Sequence, residues 1–398
     1  MRIYLVFLCL ILNPLNLQSQ QRMLSDQAEI SVLTVGPGKN LNDVFGHNGF
    51  RIKDKVRGID VVFNYGVYDF EAPNFYLKFA QGKLNYMIGL NYYEDFYNLY
   101  NYQNRTISEQ VLNLSQDEKQ RIFNFLSENY KPENRFYLYD FFYDNCATKM
   151  RDVLETVLPQ DLNFKTPDSF EGRTFRQLIH EHVNRNGWGS FGIDLALGSV
   201  IDKEATPREF MFLPKYIHSF LDVAERSDRD KLVKSSRIVY KARPEKKGMG
   251  FLYSPLFILG IIALIILYIT FQDHKKSKQS KWLDLTMFLV TGIAGLIILL
   301  LWFATDHSAT AHNYNLLWAI PLNLILWPSL LKKSPKLWFR RYIKFLLIML
   351  ILLILHWVSG VQVYAIGLIP IMIAMVARYI YLIQYYGKLN TKIGQKPS

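Results

Sequence analysis

A single thiol can do chemistry when a base stands ready to take its proton, and two short stretches of this chain offer such a pair. In Tyr143-Asp144-Asn145-Cys146-Ala147-Thr148, the cysteine precedes apolar residues Met150, Val153, Leu154, Val157 and Leu158 at helical spacing. Cys146 therefore heads a helix over 146–158, with Asp144 or Asn145 as its N-cap. Free amides and a partial positive charge at a helix N-terminus lower a thiol's pKa and cradle a developing oxyanion. The second stretch is Phe45-Gly46-His47-Asn48-Gly49-Phe50-Arg51-Ile52, a histidine entering a strand between two glycines that allow close approach to the imidazole. An imidazole taking the thiol proton completes the activation, and a third polar group normally orients it. Asn64, on the next strand, is the candidate for that role, with Tyr65 and Asp69 behind it. Asn48, Thr148, Asn145, Asp144 and Tyr65 complete the set of supporting or substrate-binding candidates. The competing reading of Cys146 is a buried structural cysteine.

These residues need a scaffold, and the chain of 398 residues divides in two. Strand-like runs at 30–35, 45–52, 59–65 and 110–114 precede Ser115-Gln116-Asp117-Glu118, which has the form of a capping box. It opens a helix with Ile122, Phe125, Leu126 and Asn129 on one face, and residues 207–225 are expected to form another. Strands and then helices make an α+β domain over 20–225, joined by a polar linker over 226–250 to an apolar second half. Five apolar spans are expected there, at 251–271, 282–303, 314–331, 342–358 and 361–383, each near the roughly 20 residues a bilayer core requires.

The charge distribution orients the chain. Residues 20–250 carry 31 Lys+Arg against 31 Asp+Glu, while the region after Gly250 holds 14 basic residues against 3 acidic ones. The net charge of +12 is thus a topology signal and argues against a nucleic-acid partner. Lys275, Lys276, Lys278 and Lys281 fill one connector, and Lys332, Lys333, Lys336, Arg340 and Arg341 fill another. Connectors 304–313 and 359–362 have no Lys or Arg, so the basic connectors and the tail over 385–398 are expected inside. The first domain is then outside, in agreement with Arg2 and the short apolar run 5–12, which read as a signal peptide over 1–19. Its removal would discard Cys9 and leave Cys146 as the one thiol.

The blocks FGHNGFRI, VVFNYGVYDF, PNFYLKFAQGKLNY and YDFFYDNCATKMRD resemble the N-terminal periplasmic domain of the Lnb family, the lipoprotein N-acyltransferases of Bacteroides-type bacteria. The resemblance extends over most of the chain, since that family places a five-helix membrane domain after its thiol domain. More distantly, the order of His before Cys is similar to circularly permuted papain-like folds, including NlpC/P60-related acyltransferases. The resemblance implies a Cys–His thiol acyltransferase, carried onto Cys146 and His47 alone, in the bacterial inner membrane with its catalytic domain in the periplasm. It implies two lipid partners, a phospholipid acyl donor and a diacylated lipoprotein acceptor, with the acyl chain held on the way as a thioester. With no metal motif and no phosphate-cradling loop, no cofactor is expected. A periplasmic cysteine peptidase or amidase using the same pair is the alternative, and a non-enzymatic membrane sensor is a third.

Elsewhere, His180 and His182 project to opposite sides of a helix and suit hydrogen bonding better than a metal. Asp306, His307 and His312 lie in an outer connector where they can face the first domain, and His356 is a costly residue to bury in a span. Arg378 is expected to snorkel to the inner face, and Lys149 and Arg151 either meet phosphate or belong to an ordinary helix surface. Phe75, Tyr76, Phe79, Tyr92, Tyr93, Phe96 and Tyr97 are either core aromatics or lipid contacts.

Overall fold

The structure, a computed structural model, describes residues 23–228, 230–244, 250–332 and 335–394. The expected signal peptide and Cys9 lie outside the described residues.

The first domain, the head, is built on one antiparallel sheet. Its strands are β1 (Glu29–Val35), β2 (His47–Asp54), β3 (Ile59–Val67), β4 (Asn85–Tyr92), β5 (Ile107–Leu112), β6 (Phe136–Leu138) and β7 (Val233–Tyr240). They lie in the order β6-β4-β3-β2-β1-β5-β7. Alternation in β1 sends Ile30 and Val32 to one face and Leu33 and Val35 to the other, so both faces must be covered. The first face carries α3 (Gln116–Asn129), α4 (Cys146–Val157) and α8 (Pro214–Val223), whose Ile122, Leu126, Met150, Leu154, Ile217 and Leu221 are buried against it. The second face carries α2 (Tyr93–Tyr102) through Phe96 and Tyr100. The capping box at Ser115 forms as its spacing indicated.

Two expectations change here. Residues 226–250, read as a linker, supply the edge strand β7, paired along β5. Arg237 on that strand joins Glu109 at 2.6 Å, so its charge serves the sheet. The helix expected over 207–225 is two, α7 (Pro207–Phe210) and α8, because Pro214 takes the first turn of a new helix.

Between these elements lie α1 (Phe75–Gln81), α5 (Phe175–His180) and α6 (Trp188–Ala196). In the second half, α9 (Pro255–Lys276), α10 (Lys281–Phe303), α13 (Leu337–Val358) and α14 (Leu368–Gly394) are, among the described residues, the four helices long and apolar enough to cross a membrane. The expected continuous span over 314–331 is instead a 3₁₀ turn, Tyr314–Leu317, and two short helices, α11 (Asn323–Leu326) and α12 (Pro328–Leu331). Pro321 and Pro328 each remove a backbone donor, and buried Asn315 and Asn323 donate out of the segment, to the Asp194 carbonyl and to Thr291 Oγ1. Helix α14 also runs through the first residues of the expected tail, as far as Gly394.

Arg378 does not snorkel. It is fully buried between Asp273 at 2.9 Å and Asp284 at 2.6 Å, locking α14 to the turn between α9 and α10. A guanidinium forking two carboxylates satisfies all three charges where water cannot.

Head and bundle are joined along a polar seam. Asn313 Nδ2 donates to the Leu195 carbonyl at 2.8 Å, Asn315 Nδ2 to that of Asp194 at 2.9 Å, and the Val363 amide to Asp202 Oδ1 at 3.3 Å. Phe191 and Leu195 of α6 pack against the bundle core. Behind the seam, Arg176 bridges Asp194 and Asp202 in full burial.

Candidate active site

Cys146 begins α4, and the capping that the sequence suggested is realised by Asn145. Its Oδ1 accepts from the amides of Ala147 at 2.7 Å and Thr148 at 3.0 Å. Thr148 Oγ1 in turn accepts from the Asn145 amide at 2.8 Å, closing a capping box. The Asn145 Nδ2 group donates to the carbonyls of Phe141 and Phe212, fastening the approach to the cysteine on two sides. Asp144, the other N-cap candidate, instead pairs with Lys149 at 2.7 Å. That pairing explains Lys149 without a phosphate, as the contacts of Arg151 with Asp152 and the Arg208 carbonyl explain Arg151.

His47 is the first residue of β2. Its Nε2 lies 3.4 Å from Asn64 Oδ1, and Asn64 Nδ2 donates to Asn91 Oδ1 at 2.9 Å. With the amide oxygen turned to the ring, Nε2 carries the proton and Nδ1 the free lone pair. The two glycines around the histidine serve different ends. Gly46 has φ +94°, and a Cβ there would meet the Val35 carbonyl at 2.6 Å. Gly49 admits β3, since a Cβ would stand 2.9 Å from Val62 Cγ1.

The sulfur reaches the histidine strand at the end of the sheet. Pairing of β2 with β3 runs from Asp54↔Ile59 to Phe50↔Phe63, and β3 shifts register against β4 between Asn64 and Val67. Gly66 in this bulge, at φ +92°, faces the Cys146 Cβ: a side-chain carbon there would lie 3.7 Å from it. The amides of Asn48, directly after His47, and of Cys146 lie beside the sulfur and favour its thiolate, as does that of Ala147, which is itself held by Asn145 Oδ1. Asn48 acts through its backbone, because its side chain is occupied by Thr34 Oγ1 at 2.9 Å and the Leu33 carbonyl. Tyr65 does not reach the pair: its hydroxyl donates to Asn129 Oδ1 at 2.5 Å within the core.

The electrostatics differ from what a helix N-terminus alone suggests. Burial pushes the Cys146 thiol up to about 11, more than the three amides and the nearby Arg105 bring it down. Burial, with repulsion from Arg105, takes the His47 imidazolium down to about 4 despite its bond to Asn64. At neutral pH both groups are uncharged at rest. Arg105 is the residue the sequence reading missed. It is buried and lies over the Tyr100 ring at 4.8 Å, and its Nε donates to the Gly36 carbonyl at 2.9 Å. No motif marks it, since it is brought near the pair from β5's side of the sheet by pairing of β5 with β1. Tyr139 is a second unheralded neighbour, its ring 4.0 Å from the same position on Gly66.

The site stands beside the outer connectors. Asp140, in the loop before Cys146, accepts from Ser308 Oγ at 2.7 Å, and the Gly198 amide donates to the Ala309 carbonyl at 2.9 Å. His307 Nε2 lies 3.1 Å from the Phe79 carbonyl, so the connector faces the head as its position suggested. Three other histidines are occupied elsewhere: His180 on Asp194 at 3.0 Å, His182 on the Leu178 carbonyl at 3.0 Å, and His356 stacked on Tyr314 at 4.7 Å.

Two family models match the chain in succession. Residues 17–181 match the Lnb N-terminal periplasmic domain, and residues 245–389 match the Lnb transmembrane domain. The chain belongs to the Lnb-type family. It is a membrane-anchored protein with a periplasmic domain of sheet and helices and, after it, a helical transmembrane domain. No curated protein and no solved structure matches it.

Proposed function

We propose that this Lnb-type protein is a cofactor-free thiol acyltransferase that moves an acyl chain from a phospholipid to the α-amine of a diacylglyceryl-cysteine at a lipoprotein N-terminus. One observation carries the reading: the sulfur at the head of α4 lies beside the backbone amide that follows His47, whose ring is 3.4 Å from Asn64 Oδ1. Asn64 is the third member of the centre, and the order of His before Cys suits a permuted papain-like head.

In the first half-reaction His47 Nδ1 takes the thiol proton as the sulfur attacks the ester carbonyl. The oxyanion is met by the amides of Asn48 and Cys146, that of Ala147 being held by Asn145 Oδ1. As the C–O bond breaks, His47 returns the proton to the leaving alkoxide, giving a lysophospholipid and a thioester on Cys146. In the second half-reaction the acceptor amine attacks the thioester. Its proton passes to His47 and then to the departing sulfur, so an amide forms and the thiol is restored. Charges arise only during each attack, which fits a pair that is neutral at rest.

The membrane domain supports the same reading, because both substrates are held in a bilayer and the loop before Cys146 is tied to Ser308. We read the broken segment 314–331 as a further crossing, because Asn315 bonds the Asp194 carbonyl of the head and the Leu331 carbonyl accepts from Lys281 Nζ at the opposite end of α10. The basic connectors and the C-terminus then face the cytoplasm. The test is mass spectrometry of purified chain and of lipoprotein N-termini from cells expressing it. An acyl thioester on Cys146 and triacylated N-termini are expected, both absent in Cys146→Ser. Diacylated N-termini that never gain an amide-linked chain would overturn the transferase, and cleaved peptides in their place would favour an amidase.

A further inference from the structure

The stretch between β3 and β4 has no place in the acyl-transfer scheme, yet it carries an unusual surface. Phe75 is buried and anchors α1, while Phe70, Tyr76, Leu77 and Phe79 are 66%, 81%, 58% and 54% exposed. Large apolar side chains clustered in this way on the outside of a head require a partner. The helix is also held at one particular height. The Asp306 amide donates to the Gln81 carbonyl at 2.8 Å, His307 sits on the Phe79 carbonyl, and Lys83 pairs with Asp306 at 3.7 Å. These anchors come directly after Phe303, the exposed last residue of α10, so the apolar surface of α1 continues the lipid-facing surface of that span.

A row of rings runs inward from this helix. Phe75 and Phe70 stand 5.0 Å apart, Phe70 and Tyr68 4.8 Å, Tyr68 and Tyr86 5.3 Å, and Tyr86 is stacked on Tyr139 at 4.3 Å. Tyr139 borders Gly66, against which Cys146 lies. Tyr68, Tyr86 and Tyr139 are each half-buried, forming a wall with one open side.

From this continuity we propose that α1 is an interfacial foot seated in the outer leaflet, and that the Tyr68–Tyr86–Tyr139 row is the path by which one acyl chain of a membrane lipid slides from that leaflet to Cys146. Rings along the path offer apolar faces to methylenes, and their hydroxyls suit the polar boundary. The ester carbonyl would stop where the row ends, at the sulfur and the amides of Asn48 and Cys146 beside it. The second half of this inference rests on the acyl-transfer reading, the first does not.

Both halves can be tested without turnover. The full chain in a Cys9→Ser, Cys146→Ser background, carrying Leu77→Cys with a nitroxide label, is reconstituted in phosphatidylethanolamine–phosphatidylglycerol liposomes. The label is expected to collide with oxygen several-fold more than with a water-soluble nickel chelate, whereas a label at exposed Tyr102 behaves oppositely. Equal behaviour at both positions, in samples whose thermal unfolding matches the parent, overturns the foot. A phosphatidylethanolamine with a diazirine on one acyl chain is expected to crosslink Tyr68, Tyr86 or Tyr139, and to lose at least most of that signal in Tyr86→Asp. Crosslinks confined to the spans overturn the path. A labelled path in a chain whose Cys146 never carries a thioester would instead count against acyl transfer and leave the foot standing.

Discussion

A thiol held near 11 at the head of α4 and an imidazole held near 4 at the start of β2 make a measurable demand on how Cys146 reacts. At pH 7 roughly one such thiol in 10,000 is ionised, against a few per cent of unperturbed cysteines with pKa near 8.5. Alkylation by iodoacetamide, which needs the thiolate, is therefore expected to run about 300-fold slower than for a free cysteine. The rate should climb about tenfold per pH unit from 6 to 10 without levelling. Because the resting imidazole is uncharged, His47→Ala should leave the rate within about threefold while removing acyl transfer. A pair poised as thiolate and imidazolium behaves in the opposite way: its alkylation rate levels off by about pH 5, and losing the histidine raises the thiol's pKa by several units. The assay is timed alkylation of the detergent-solubilised protein across that pH range, read by intact mass. A plateau at or below pH 7, or a large loss on His47→Ala, would refute the neutral-pair account. It would mean that the three amides and Arg105 outweigh burial.

Acyl-transfer rates of Asn64→Ala are expected to fall roughly tenfold to hundredfold with Cys146 alkylation unchanged, since the ring loses its orientation and the bond that supports its basicity. Acid should destabilise the head as pH falls from 6.5 towards 4. His47 is protonated in the unfolded chain over that range and neutral in the folded one, so stability rises with pH there, and thermal unfolding of His47→Gln should lose part of that slope. Gly46→Ala is expected to cost about 1–3 kcal/mol by thermal unfolding, because its φ is positive and the new carbon meets the Val35 carbonyl. Arg378→Gln leaves Asp273 and Asp284 buried without their cation, an expected cost of about 3–5 kcal/mol seen as loss of monodisperse protein. The same variant with both aspartates changed to asparagine should recover much of it.

Local order was legible from the chain by itself wherever the cause is local. The Ser115 capping box, the helix headed by Cys146 with its cap at Asp144 or Asn145, and four spans stem from neighbours within a turn or from uninterrupted apolar length. Asn64 beside His47 was within reach because adjacent strands in a meander place such residues together. Broken elements were harder, since 314–331 has the composition of a span while two prolines and buried asparagines deny it a continuous helix.

What only the tertiary structure decided is the environment of the chemistry. A helix N-terminus lowers a thiol's pKa in isolation, but enclosing the sulfur removes the water that would solvate the thiolate, and here enclosure is the larger effect. Arg105 comes to the pair through strand pairing across the sheet, and Arg378 meets two carboxylates from a different turn, about a hundred positions away. Those meetings depend on which distant segments share a surface, and residue types and spacing along a chain carry no record of that.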